Sequence, residues 1–576
     1  GGAWANSAVN YTVGVGYQSL NGALTSDATG SVGVGYRAGY ALTSGIGNVA
    51  IGYQALDAED DGDFNTAVGY QALTAQTGTT GTVANTAVGY QAASGLTSAT
   101  GTTAIGYKAG GSATMTGVVN TLIGSMAGAA ITSGEYNTIV GADAGDAITI
   151  GAQNIALGTN ALASETIGNR AVAVGAYALF SQVSDSDNED TGNTAVGNAA
   201  GYYNVTGTNN TYLGRGAGLG ATGNSNSNNT AVGKDAMLAI TDGVANVVVG
   251  VAAGDAMTSA DYNTFIGYYA GSATVDADRC VAIGNGAMES GNATADADGA
   301  VAIGDHALDA LTSGANNTAV GFNAMIDIQE GYKNTAVGYK AFGGVLGTTA
   351  DASHNNTFIG HNAGSADWAD VLSNYNTGVG SESMNAALNG GSENTCVGYH
   401  SGGGLLAGDT NVLLGYSAGD TITSGYQNVL VGARTTPSIV GAVNQIAIGN
   451  GAAGVANNTA IIGNSSVTDV YMGDNGNAWS QTSDGRLKEN VKEWNKGLDE
   501  INKLRVVEFN FKKDNPFDYN SDKKRQGIIA QEAQEVLPEM IKDDSEWLSA
   551  NTEPMVWALV KAVQELSAKL KKHGIT

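Results

Sequence analysis

The chain has 576 residues, 85 of them glycine and only 4 proline, with a net charge of −28. Its acidity is unevenly placed: residues 1–482 hold 9 Lys and Arg against 36 Asp and Glu, whereas residues 483–576 hold 16 against 17. So acidic a first region repels nucleic acid and anionic membrane surfaces. No apolar run approaches the roughly 18 residues of a membrane span, so neither nucleic acid nor membrane insertion is expected.

In chain order, the first feature is a repeat. The stretch Asn65-Thr66-Ala67-Val68-Gly69-Tyr70-Gln71-Ala72-Leu73 returns from Tyr11 to about Gly463, usually every 17 residues, with longer steps of 18–22. An aliphatic residue precedes glycine in each copy, as in Ile51-Gly52, Val88-Gly89 and Leu157-Gly158. A fixed period that tolerates insertions points to a solenoid, with the insertions as loops at one corner. Glycine at this level would suit a disordered chain, but the aliphatic slot and a 43% hydrophobic content argue for packing. The region, residues 1–480, therefore reads as a parallel β-solenoid of about 26 coils, roughly 120 Å long at ~4.8 Å per stacked strand.

Residues alternate within a strand, so Thr66 and Val68 face one way and Ala67 the other. The Val68 slot is almost always aliphatic and is assigned to the interior. The Ala67 slot varies, becoming Ile139, Tyr212, Phe265 and Phe358, and is assigned to solvent or a neighbouring subunit. A second small slot comes three residues after the glycine, as at Ala55, Ala72 and Ala92, and suits a tight bend. Four residues before the glycine, 18 of 26 copies carry asparagine, among them Asn48, Asn65, Asn120, Asn137 and Asn334. Stacked at one corner, these amides would form a ladder that satisfies turn backbone groups.

Cys280 takes an asparagine-type slot and Cys396 an alanine-type slot. Six repeats apart, they stand about 29 Å from each other, beyond disulfide reach, and are expected as free buried thiols. The insertions Asp57–Asp63, Asp185–Asp190 and Asp296–Gly299 are acidic. None has the full spacing of a calcium loop, so they are expected as solvated loops, with calcium the alternative. His306, His354, His361, His400 and His573 show no ligand spacing, so no metal site or other cofactor is expected.

At Ser483 the period stops. Residues 481–576 read as a separate mixed α/β domain: a strand around Val506–Phe511, a helix entered through Ile528-Ile529-Ala530-Gln531 and closed by Pro538, and a last helix from about Pro554 to Lys572. Thr552 would cap that helix, and Lys569, Lys571 and Lys572 suit its C-terminal dipole. Val556, Leu559, Val563, Leu566 and Leu570 are spaced 3, 4, 3, 4, a seam that would pack on copies of the helix or on the domain core.

Both regions resemble known families. The repeats resemble the head repeats of trimeric autotransporter adhesins, which are left-handed parallel β-rolls assembled as trimers, although the 17-residue period is longer than usual there. The run Ser483-Asp484-Gly485-Arg486-Leu487-Lys488-Glu489-Asn490, with Gly527-Ile528-Ile529-Ala530-Gln531-Glu532, Val536-Leu537-Pro538-Glu539 and Ala562-Val563-Gln564-Glu565-Leu566 after it, resembles the intramolecular chaperone domain of endosialidases and phage tail fibres, the peptidase S74 family. That resemblance implies a Ser483–Lys488 dyad that cleaves its own chain once at the serine, Ser483 as nucleophile and Lys488 as general base, which is chemically sound if burial lowers the lysine pKa. It implies a homotrimeric tail fibre on the virion surface that meets a host-surface glycan or protein. The alternative is a bacterial cell-surface adhesin or extracellular filament using the same chaperone. A turnover enzyme is not indicated, because the repeats offer no paired-carboxylate or arginine-rich pocket at recognisable spacing.

Overall fold

The computed structural model describes residues 11–467 and 489–574, apart from 78–79, 112–113, 188, 345–349, 370, 514–521, 523 and 543–547. The chain forms two compact units, Gly1–Ala407 and Gly408–Thr576. Among the described residues, twenty-six strands of three residues form a parallel sheet, one strand per repeat. Pairing joins equivalent slots: Thr138, Ile139 and Val140 lie beside Thr121, Leu122 and Ile123 on one side and beside Ile155, Ala156 and Leu157 on the other. The second unit holds the last four of these strands, from Val412–Leu414 to Ala460–Ile462, together with the C-terminal block.

The strand faces are opposite to the expectation from slot composition. In every solenoid strand from Val32–Val34 to Ile446–Ile448 the central residue is buried, and Ala67, Ala336 and their counterparts are fully enclosed. The first and third residues, Thr66 and Val68 or Thr335 and Val337, face outward and keep part of their surface. Variation at the central slot reflects exchange of volume inside the coil. Where that residue is Ala, the fourth residue after the strand glycine is often a buried leucine, as in Ala67 with Leu73, Ala156 with Leu162 and Ala173 with Leu179. Where it is Tyr212, Phe265 or Phe358, the fourth residue is Gly218, Gly271 or Gly364, and a Cβ on these glycines would stand 2.2, 2.4 and 2.7 Å from the ring. Close packing leaves room for one large side chain per layer at this point, from either slot.

The strand glycine is required by stacking. Gly69 adopts φ +141°, and a Cβ there would meet the carbonyl oxygen of Gly89 at 2.2 Å. The asparagine ladder is present. Asn137 Oδ1 accepts the backbone N–H of Asn154 at 2.9 Å, and its Nδ2 donates to the Gly151 carbonyl at 2.9 Å. A side chain bonded in this way pairs one buried N–H and one buried C=O, groups that cost about 1–3 kcal/mol when left without partners. At Cys280 the ladder is interrupted: its N–H donates to Asn263 Oδ1 at 2.8 Å, but a thiol 3.6 Å from the Ala297 carbonyl replaces the amide. Both cysteines are free and buried. Outside the coils, Tyr17, Tyr36, Tyr53, Tyr70, Tyr90 and Tyr107 stack with ring centroids 4.9–5.7 Å apart.

The C-terminal block contains helices α1 (Leu498–Lys503), α2 (Ala530–Val536) and α3 (Glu553–Lys572). A strand at Val507–Phe509 pairs antiparallel with Arg525–Gly527, and Ile541–Lys542 pairs with Ser549–Ala550. Helix α2 ends before Leu537, and Pro538 opens a 3-10 turn, as the proline dictates. Thr552 does stand before α3, but its side chain makes no capping bond. Asn551 Oδ1 instead accepts the Glu553 N–H at 3.0 Å.

Candidate functional site

Ser483 and Lys488 lie outside the described residues. The chain is described again from Glu489, and residues 494–500 tie this segment to α3 and the block's core. Trp494 packs on a core of Ala533, Leu537, Met540, Ile541 and Ala558. The Leu498 N–H donates to Glu565 Oε2 at 3.1 Å, and a Cβ on Gly497 would meet that carboxylate at 2.8–3.0 Å. Glu500 Oε2 accepts the Gly497 N–H at 2.8 Å, which starts α1. That hydrogen bond holds the Glu500 carboxyl below its usual range.

Among the described residues, the later of the segments singled out in sequence thus meet in space. Leu537 from the Val536–Glu539 run is buried together with Ala533 of α2 and Ala558 of α3, and Ala562, one turn further along α3, is also buried. Glu532 is held by Arg505, whose Nε donates to Glu532 Oε2 at 2.9 Å, and this pairing lowers the Glu532 carboxyl. Beside the Glu489–Gly497 run lies an open groove of about 530 Å³ between Glu493, Trp494, Glu539, Trp557 and Lys561. The heptad seam does not pack on the domain core. Val556, Leu559, Val563, Leu566 and Leu570 are 39–59% exposed in the single chain.

In the repeats, the acidic insertions have partners. Arg37 pairs with Asp57 at 3.2 Å and Arg279 with Asp298 at 2.8 Å, and Arg170 pairs with Asp190. Each arginine lies about one repeat earlier in the chain. Glu59 turns inward and is fully buried, its Oε1 accepting the N–H groups of Asp60, Asp61 and Gly62. Burial still pushes its carboxyl above the usual range. One grouping was missed by spacing rules: Glu289, His306 and Asp309 bring three ligand atoms within 4.8 Å of one another. The signal was a separation of 20 residues, one coil at this point of the array, between Glu289 and Asp309, with His306 three residues before Asp309.

Comparison with a family model bears on the C-terminal block. Residues 483–542 match the family model of the chaperone of endosialidase. The matched range opens on Ser483 and takes in α1, the strand pair, α2 and the 3-10 turn. Over 115 residues the chain is 34% identical to the "Long tail fiber protein Gp37" of Enterobacteria phage Ox2, and equally to that of Enterobacteria phage M1. The alignments cover 19% of this chain and 42% of each relative, so the chain spans less than half the length of the curated proteins it matches.

Proposed function

We propose that this chain is a subunit of a homotrimeric phage tail fibre, with residues 1–480 as the host-attachment shaft and residues 481–576 as its assembly chaperone. The observation that carries the reading is the match of residues 483–542 to a chaperone of endosialidase, placed after an array of stacked coils. The tail-fibre relatives support the virion surface as its location and a host-surface glycan or protein as its target.

Two surface features support self-association. The outward first and third positions of all twenty-six strands hold only Thr, Val, Ile, Leu and, once, Ala460, although the region around them carries 36 acidic residues. A long row without a charge in so acidic a region is fit for burial against identical rows. The open seam of α3 has the heptad form that a helix uses against its own copies. Near-identical coils can pair one step out of register at little cost, and a trimeric block fixes stoichiometry and register first.

Maturation then rests on Ser483 and Lys488. An unprotonated Lys488 amine takes the Ser483 hydroxyl proton, and the oxygen attacks the Thr482 carbonyl carbon. The Thr482–Ser483 C–N bond breaks as the lysine returns the proton to the Ser483 amine, and water hydrolyses the resulting ester to a Thr482 carboxylate and a free Ser483 hydroxyl. Native mass spectrometry of the expressed chain tests both claims. The expected outcome is a trimer and release of a 94-residue fragment that starts at Ser483. Ser483→Ala and Lys488→Ala should stay uncut yet trimeric, and Leu566→Asp should reduce both assembly and processing. A monomer, or efficient cleavage of Ser483→Ala at the same bond, overturns the reading.

A further inference from the structure

We infer that Glu289, His306 and Asp309 form a binding site for a divalent first-row transition-metal ion on the face of the solenoid. His306 Nδ1 lies 3.9 Å from Glu289 Oε2 and 3.8 Å from Asp309 Oδ1. These separations are too long for hydrogen bonds. They are close to the spacing of roughly 3.3–3.4 Å between ligand atoms around a tetrahedral ion with bonds of about 2.0–2.1 Å. All three ligand atoms lie within 4.8 Å of one another, so rotation of the side chains alone brings them onto one metal. One imidazole with two carboxylates is a donor set for zinc and its neighbours, whereas calcium prefers six or more oxygens.

The surroundings are arranged as such a site needs. Asp309 is oriented by Ser290, whose N–H donates to Oδ1 at 3.1 Å and whose hydroxyl reaches both carboxylate oxygens at 3.0 Å. On the other ring nitrogen, Asp305 Oδ1 stands 3.8 Å from His306 Nε2, the side to which the imidazole proton belongs when Nδ1 binds metal. Asp305 is itself fixed by Asn285, whose Nδ2 donates to Oδ2 at 3.0 Å. The space between the ligands is kept clear by Gly286. A Cβ there would lie 2.4 Å from Glu289 Oε2 and 2.7 Å from the imidazole. The backbone does not demand glycine at this slot, because Ala199 and Ala252 occupy it in other coils with φ of 55° and 52°. With side-chain exposures of 38%, 32% and 18% for His306, Glu289 and Asp309, water can complete the coordination. Negative charge continues next to the cluster: Asp327 has its carboxyl pushed up, mainly by burial and further by Asp309.

The test is calorimetric titration of the untagged full chain with Zn2+, repeated with Co2+ to read its visible ligand-field band. The expected result is one ion per chain at this site, a tetrahedral Co2+ spectrum that Zn2+ abolishes, and no displacement by millimolar Ca2+. His306→Ala should lose the site. Gly286→Ala should weaken it at least tenfold by occupying its space while the coil stays folded by circular dichroism. Ser290→Ala should weaken it by roughly 10- to 100-fold, the range for groups that orient a ligand. Zinc binding that is absent, or that survives both His306→Ala and Gly286→Ala, overturns the assignment. Should His306→Ala fail to fold, Gly286→Ala and Asp309→Asn decide alone.

Discussion

The coils and the C-terminal block bury apolar surface by different means. A coil has an equivalent neighbour above and below, so slots as small as Ala67 and as large as Phe265 are closed off completely. The block has no such neighbours. Its core is Ala533, Leu537, Met540, Ile541 and Ala558 with a rim of half-buried side chains, and α3 leaves a full row of aliphatic residues open. A domain of fewer than a hundred residues with so few buried side chains among those described draws on outside contacts for stability. What the stack lacks is a specified register, since each strand can pair with any other. Stability comes from repetition in one region and specificity from irregularity in the other, which suits the proposed division between shaft and chaperone.

The largest test of this contrast is a charge placed in a closed column. Ala336→Asp buries a carboxylate with no partner between Ala319 and Phe358 and should cost at least about 3–5 kcal/mol, enough to abolish soluble protein. Val337→Asp, one residue on, should leave the coils folded by circular dichroism and break only the proposed trimer, as read by native mass spectrometry. Equal damage to folding from both changes would contradict the observed faces.

Next in size is a double-mutant cycle on the exchange of volume within a coil. Phe265→Ala alone should cost about 3–5 kcal/mol by leaving a cavity. Adding Gly271→Leu restores the Ala–Leu pairing of other coils and should recover most of that loss in denaturant melts. Gly271→Leu on the native background should destabilise through overpacking. Additive effects would mean that the two slots do not share one space.

The smallest effect concerns Cys280, where the ladder is interrupted. Burial pushes its thiol up to about 11. In the unfolded chain the thiol titrates near its ordinary value, so its contribution to stability is complete below pH 9 and is lost as pH rises towards 11. The loss should reach about 1 kcal/mol by pH 10. Cys280→Asn, which removes the thiol and restores the ladder amide, should flatten that part of the stability curve. An alkaline limb unchanged by Cys280→Asn would show that other groups control it.

The solenoid was legible because its period is a backbone property. The strand glycine, the asparagine corner and the parallel register all arise from stacking identical turns. The faces were misread because alternation defines two sides without saying which is inside, and here both sides are small or aliphatic. The informative signal was the pairing of Ala67 with Leu73 and of Phe265 with Gly271, a rule about summed volume rather than hydrophobicity at one position. In the block, the α3 seam was visible in its spacing, but only the buried Ala558 and Ala562 show which side of the helix the domain keeps. The Glu289–His306–Asp309 grouping escaped because ligand rules count residues along one segment, whereas a solenoid makes neighbours of residues a whole turn apart.

The asparagine ladder has a consequence for how such a gene can change. Each coil that carries the asparagine presents the same acceptor to the coil after it and the same donor to the carbonyl it covers, so its upper and lower surfaces are complementary copies. Removing the segment from Asn137 to Gln153 would bring Asn154 against Asn120 with the same bonds in place. Because the large residue and its compensating glycine travel within one turn, an excised coil takes its own filling with it. Unequal crossing-over between repeats can therefore lengthen or shorten the array by whole turns while the folding problem stays the same, and reach becomes a trait that evolves independently of whatever the surface recognises.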